Sequence, residues 1–534
     1  MSEKVEGDVL ETVVDKDDSV GTTNDNAKER AVDIPWRILG LMFVLYTVVM
    51  GIHVYSHSAT NSVDSLFHIR LARLYWERGL FTDFPWMYFS VARDYWADHH
   101  FLYHLLLIPF TLGDLFEGMR ASAVVFGALA LTACVAYLYA HRIRHAWVYG
   151  LVLLMSSDYF LFRISMPRAM GLSLILLLVG LWLLETRRDR WLLPLGVVFI
   201  WSYQTAVVLI PMACCAVVWF GVLERKLDIK PVLYAFAGIL LGLTLNPFVP
   251  HSFDFLFFHL ISGHMDTKVV IGEEWHALAL YDLVYRCFPA VVMGVLVPIV
   301  GIGAWRRWPK SVGMIGCGAF VLLLASLRSI RMLEYAVPFC VLFGARIFDS
   351  LLWRRADTIT PLDTPDEDGP APLMQARLMR PAVAAFVIAF VGMGVVYHID
   401  IHKHAFDIHP QRAQKAALWL KKHTPKDSIV FHTHWVTFSF LFFHNTHNRY
   451  ISGLNPHFLY SWNPKLYKTY MKIGRGMSRQ PAKLIQHHFD SKFVFLMGRR
   501  QNFRLALQLE RSPYAKLAYH DKNVRIYRLF HKKR

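Results

Sequence analysis

NSVDSLFHIRLARLYWERGLF, residues 61–81, stands directly after the first long apolar run of the chain and carries Asp64, His68 and Arg70 within its first ten residues. The preceding run, Trp36 to Tyr55, is long enough at about 1.5 Å per residue to cross a hydrocarbon core of about 30 Å. An acid, a histidine and an arginine beside a membrane face are costly unless they meet water or one another. What they meet decides how the rest of the chain is read.

Composition points outward from that stretch to a membrane protein. The 534 residues are 55% hydrophobic and 14% aromatic, the mean hydropathy is +0.32, and apolar runs near twenty residues recur along most of the length. This is a polytopic α-helical membrane protein, and it excludes an ordinary soluble enzyme. The formal charge of +17 does not imply nucleic acid as a partner, because the basic residues fall in short clusters between apolar runs and in the last 130 or so residues. The six cysteines all lie in apolar segments without zinc or disulfide spacing. Residues 1–33 are polar and mostly acidic, with no apolar core or cleavage signal, and are expected to be a disordered cytoplasmic tail.

Charge fixes the expected topology. The first span delivers Asp64 to the external side, and residues 56–118 form a long external loop in which 101–116 is interfacial or re-entrant. The HRIRH, TRRDR, LERK, WRRWPK and LWRRAD clusters then all fall on the cytoplasmic side, as the positive-inside rule requires; counting 101–116 as a span inverts every one. About eleven spans result, near 36–55, 120–140, 146–162, 169–185, 191–204, 206–222, 231–249, 285–304, 312–327, 333–350 and 381–398. The Pro- and Asp-rich segment 353–380 is a cytoplasmic linker. Residues 34–398 thus form the transmembrane part. Residues 399–534 form a small external α/β domain, where AQKAALWLKKHTP has helical periodicity ending at Pro425 and DSIVFHTHW reads as a strand.

With that topology, ionisable groups from separate loops share the external face. Asp64, His68 and Arg70 follow the first span; Arg163 and Arg168 lie in FRISMPRAM; Glu273, Glu274 and His276 lie in IGEEWHAL; Arg328, Arg331 and Glu334 lie in LRSIRMLEYAVP. A single such arginine is ordinarily a snorkelling anchor and a single loop carboxylate is ordinarily solvated. Carboxylates opposite arginines, taken together, suit a reaction with an anionic leaving group. Arginine's planar fork pairs with phosphate oxygens, and a carboxylate facing an acceptor hydroxyl removes its proton. The expected partners are an isoprenoid-phosphate-linked sugar donor reached from the membrane lipid, and a glycan, lipid or protein acceptor. The histidines of DHHFLYH, HIDIHKHAFDIH and FHTHW have spacings irregular for a structural metal site and suit hydrogen bonding, with Asp98 able to reach the site from the far end of the first loop.

The order of one span, a long external loop opening with Asp64, a cytoplasmic return and an external domain after about a dozen spans resembles the polyprenyl-phosphate-dependent membrane glycosyltransferases of the GT-C fold. The catalytic subunit of oligosaccharyltransferase is the nearest likeness. The resemblance implies a catalytic role for Asp64, matched in VDSLFHIRLARLYWERG. It also implies a counterpart for Arg163 in SSDYFLFRISMPRAM, the external-loop acid at Glu273 or Glu274, and the lipid-pyrophosphate arginine at Arg331. Where that family carries paired acids, this chain has Pro167 and Arg168, and of the family's acceptor-reading motif only Trp435 stands in TPKDSIVFHTHW. The resemblance thus leaves open a divalent metal, Mg or Mn, and equally a metal-free site of the kind used on monophosphate lipid donors. It implies a bacterial inner-membrane location with an external active site. A transporter or flippase of a lipid-linked or anionic substrate is the alternative, although transporters place their charges near the midplane.

Overall fold

A computed structural model of the chain describes residues 34–259, 269, 276–352, 388, 390–401, 408–498, 500 and 502–530. The N-terminal tail, the 353–380 linker, Glu273 and Glu274 lie outside the described residues. Among those described, four helices are long and apolar enough to cross a membrane: Trp36–Tyr55, Leu115–Ala140, Gln204–Glu224 and Phe288–Trp305. Shorter apolar helices include Met170–Glu185, Lys230–Thr244, Val312–Ser326 and Phe390–Ile401. At about 1.5 Å per residue, fifteen or sixteen residues reach only about 23 Å, so several of the eleven apolar runs are not full-length straight helices.

The segment 146–162, expected as one span, is broken. Ala146–Leu154 and Asp158–Ile164 are bent 94° from one another. Ser157 explains the break: its backbone is extended and its hydroxyl accepts from the Phe160 N–H at 3.2 Å, capping a new helix in a new direction. That short helix carries Arg163. In the first loop, the apolar stretch Phe101–Thr111 forms a helix shorter than a full span. The chain then restarts at Leu115, where the Asp114 carboxylate accepts from the N–H groups of Phe116 and Glu117, both at 2.9 Å.

The opening stretch forms the helix Asp64–Arg78, stopped by Gly79 at φ +73°, a left-handed position that suits glycine. The helix buries Leu66, Phe67, Ile69, Leu71 and Leu74, along with His68. Part of that cover comes from the far end of the chain, since the Phe67 ring lies 5.6 Å from that of Phe442, on the helix Thr437–His444.

The C-terminal segment builds a five-stranded sheet of β1 (Ile429–His432), β2 (Arg449–Tyr450), β3 (Phe493–Met497), β4 (Ala515–His520) and β5 (Val524–Leu529), in the order β2-β1-β3-β5-β4. β1 runs parallel to β2 and β3, and β5 is antiparallel to β3 and β4. The helix Gln411–His423 ends before Pro425, as its sequence predicts. One apolar core joins the sheet to the helices that follow β2 and includes Phe431, Val494, Leu496, Ile473, Ile485, Leu505 and Tyr527. The first loop continues this sheet: Tyr450 N–H donates to Trp86 O at 2.8 Å, and Tyr88 and Phe89 donate to Tyr450 O and Ile451 O, both at 2.9 Å. Loop, sheet and helical bundle belong to one compact unit, Pro35–Arg534.

Candidate active site

Asp64 occupies the first turn of its helix, where the unsatisfied N–H groups and the helix dipole favour a negative charge. Its carboxylate pairs with the Arg168 guanidinium, which the loop before Met170 presents. Both side chains keep access to solvent, 24% exposed for Asp64 and 18% for Arg168. Asn61 secures the two loops to each other by donating to Ser165 Oγ at 3.0 Å. A cleft beside the pair is lined by Thr60, Asn61, Arg120, Phe162, Ser165 and Pro167, and it borders His53 and Val54 at the end of the first transmembrane helix.

A second cationic group lies deeper. Arg163 is buried and its Nε donates to Glu334 Oε1 at 2.6 Å; Arg331 Nε lies 4.0 Å from the same oxygen. Arg331 also donates to the Tyr203 hydroxyl. One carboxylate thus faces two arginines, whose planar forks suit an anion such as phosphate.

A third group connects these two. Asp98 is buried, and its Oδ2 accepts from the Tyr75 hydroxyl at 2.9 Å and from His104 Nδ1 at 2.6 Å, while Oδ1 accepts from the His100 backbone N–H at 3.0 Å. His104 Nε2 lies 2.8 Å from His68 Nδ1. His68 meets the His100 ring edge-on at 4.8 Å, and His100 stacks on Tyr203 at 5.0 Å, the residue that receives Arg331. Burial, with the neighbouring His104 ring and the Arg168 guanidinium adding to it, pushes the His68 imidazole well below the ordinary histidine range. Burial does the same to His99, beside His259, and to His100, beside His99 and His68. His68, His99 and His100 are therefore neutral imidazoles at neutral pH. His99 Nδ1, His100 Nδ1 and the Tyr103 hydroxyl are buried without a hydrogen-bond partner among the described residues.

Of the residues expected from sequence, the structure brings Asp64, Arg168, His68, Asp98, Arg163 and Arg331 into this connected network. Arg328 is exposed, and its side chain makes no ion pair among the described residues. Glu273 and Glu274 lie outside those residues, although His276, just beyond them, accepts from the Ile330 N–H at 3.1 Å, next to Arg331. The sequence places Glu334 on the external face with Arg331 but gives it no role in the site, and it does not single out Tyr203 or Tyr75. His100 and His104 are signalled only by the DHHFLYH cluster, which places Asp98 six residues before His104.

A divalent cation, Mg or Mn, needs several oxygen ligands about one point. The Asp64 carboxylate is paired with Arg168, and among the described residues no three of His, Cys, Asp and Glu converge as a donor set. The described residues do not fit such an ion.

No family model and no curated protein matches the chain in sequence. Its fold does match solved structures. The archaeal oligosaccharyltransferase AglB from Archaeoglobus fulgidus, in complex with an inhibitory peptide and a dolichol-phosphate, aligns over 89% of this chain and 71% of its own, with a TM-score of 0.60 and 12% identity. ArnT from Cupriavidus metallidurans bound to undecaprenyl phosphate aligns over 92% of this chain and 97% of its own, with a TM-score of 0.53 and 12% identity. The arabinofuranosyltransferase AftD from Mycobacteria aligns over 93% of this chain but 40% of its own, with a TM-score of 0.51 and 12% identity. These are GT-C enzymes, and the likeness at such low identity is one of fold. Apolar helices and GT-C fold together make this a multi-pass membrane protein.

Proposed function

We propose that the chain is a glycosyltransferase that moves a sugar or short glycan from an isoprenoid-phosphate carrier to a glycan, lipid or protein acceptor on the external face of the membrane. The topology that goes with this reading is the one argued from charge: about eleven membrane crossings, a cytoplasmic tail and linker, and the Asp64 end of the bundle outside, in a bacterial inner membrane. The observation that carries the reading is the Asp64–Arg168 pair together with the Arg163–Glu334–Arg331 cluster, with Arg168 near enough to act on the charge of Arg331. It is supported by a fold whose solved members include one bound to dolichol-phosphate and another bound to undecaprenyl phosphate.

The chemistry follows from the charges. A lipid phosphate entering from the cleft finds two arginines that share one carboxylate, and a third, Arg168, held by Asp64. Arg168 turns its fork from the carboxylate to the phosphate, and the freed Asp64 receives a hydrogen bond from the acceptor. As the bond from the anomeric carbon to the phosphate oxygen breaks, the negative charge growing on phosphate is met by preorganised guanidinium groups. Two groups on one face of the helix, Asp64 and His68, are placed to take the acceptor's proton.

Purified chain in detergent, offered radiolabelled polyprenyl-phosphate sugars and candidate acceptors, should consume at least one donor and release the carrier phosphate. Flux of an intact lipid-linked or anionic substrate across a proteoliposome, without cleavage of any donor, would overturn the proposal in favour of transport.

A further inference from the structure

We propose that His68 is the group that takes the acceptor's proton, and that Asp98 acts through His104 as the positioning pair that readies it. This rests on the glycosyl-transfer reading and assigns the base within it.

With His104 as a neutral ring, the direction of the hydrogen bonds leaves one nitrogen of His68 available. The Asp98 carboxylate can only accept, so His104 Nδ1 carries the proton in the 2.6 Å contact and His104 Nε2 is left with its lone pair. Across the next contact, 2.8 Å, His104 Nε2 must accept, so His68 Nδ1 carries a proton and donates. His68 Nε2 is thereby left unprotonated, an acceptor by elimination. The chain Asp98–His104–His68 has the logic of an acid that orients an imidazole, extended by one ring. Tyr75 and the His100 N–H hold the Asp98 oxygens in place, so Asp98 is fixed from three directions. Asp64, one helical turn before His68, is the competing base once Arg168 has turned to phosphate, and the His68→Gln variant separates the two.

The ionisable groups around His68 come from three elements: Asp64 on its own helix; His99, His100, Tyr103 and His104 from the segment 99–104; and Arg168 from the loop before Met170. Burial and these neighbours keep His68 neutral, the form able to receive a proton. In the transfer step the acceptor O–H gives its proton to His68 Nε2, the acceptor oxygen bonds to the anomeric carbon, and the carbon–oxygen bond to phosphate breaks with its electron pair staying on phosphate. The imidazolium so formed is stabilised by Asp98 through His104 and gives its proton to water once product leaves.

The test is the pH dependence of kcat for wild type, His68→Gln and Asp98→Asn, with binding of undecaprenyl phosphate as the measure of correctly folded protein. His68→Gln should lower kcat by about 10²–10⁴-fold with lipid-phosphate binding within about threefold of wild type. In Asp98→Asn the anion that stabilises the imidazolium is lost, so the acidic limb of the kcat profile should move to lower pH while kcat at its plateau falls at least about tenfold. A merely structural Asp98 would leave the limb where it is. An unmoved limb in Asp98→Asn, or His68→Gln turnover within threefold of wild type, overturns the proposal. If His68→Gln fails to bind lipid phosphate, the near-isosteric Asp98→Asn decides alone. A wild-type chain that cleaves no polyprenyl-phosphate sugar would instead sink the glycosyl-transfer reading, and the assignment of His68 with it.

Discussion

Asp64→Asn should tighten, not weaken, the binding of an isoprenoid phosphate. Arg168 is engaged by Asp64, so lipid phosphate must displace a carboxylate before it gains that guanidinium. Two unit charges about 4 Å apart attract by roughly 4 kcal/mol at an effective dielectric of about 20. The pair is 18–24% exposed, and solvation together with side-chain ordering reduces such a pair to about 1 kcal/mol net. Asparagine keeps the size and the hydrogen bonding of the carboxylate and removes its charge, which returns that energy to phosphate binding: about a fivefold lower Kd. Equilibrium binding of tritiated undecaprenyl phosphate to detergent-solubilised wild type and Asp64→Asn measures it directly. The difference should shrink at about 1 M salt, where the Debye length is near 3 Å. A Kd unchanged or raised in Asp64→Asn would refute the idea that Arg168 passes from carboxylate to phosphate.

Arg331→Lys should raise the donor KM about tenfold, because a point ammonium cannot replace a fork that reaches both the Tyr203 hydroxyl and the Glu334 carboxylate; initial-rate kinetics that match wild type would leave Arg331 a structural residue. Glu334→Gln removes a carboxylate charge that faces buried Arg163 and Arg331, and it should cost about 3–5 kcal/mol in denaturant unfolding; a loss under about 1 kcal/mol would contradict the pairing. Burial pushes His432, on β1, down to about 4 from the ordinary value near 6.5. The unfolded chain therefore binds the extra proton between about pH 6.5 and 4, and stability falls as pH is lowered through that window, by roughly 3 kcal/mol in all. Hydrogen exchange of the β1 and β3 amides should report that loss, and His432→Phe should flatten it.

Local physics made much of the architecture legible. The first run could be read as a span by length and apolarity alone, and the helix over 411–423 and the strand over 429–432 follow from periodicity and a terminating proline. The segment 146–162 misleads because hydropathy is blind to direction: its apolar residues continue through Met155 and Ser156, while Ser157 recaps the backbone and turns it 94°. What periodicity cannot hold is which distant partner a charge will meet. Asp64 and Arg168 are 104 residues apart, and Arg163 and Glu334 are 171 apart. Each looked like an ordinary span-end charge until packing set it against its counter-ion.

Asp98 shows the same limit within a single loop. Only six residues separate it from His104, but six residues are no regular helical neighbour spacing, and Asp98 sits before the helix that carries His104. His68 lies 36 residues from His104, on a different helix, and their contact depends on both being buried under the aromatic cover of Phe67 and its neighbours. The type of residue could be read in advance, acid beside histidines. The polarity of the chain, acid to His104 to His68, required the fold, because a hydrogen-bond direction belongs to a pair and not to either residue. That polarity is also what ties the opening stretch to chemistry: Asp64 supplies charge at the head of the helix, and one turn later His68 supplies a lone pair whose availability is set from the other end of the loop.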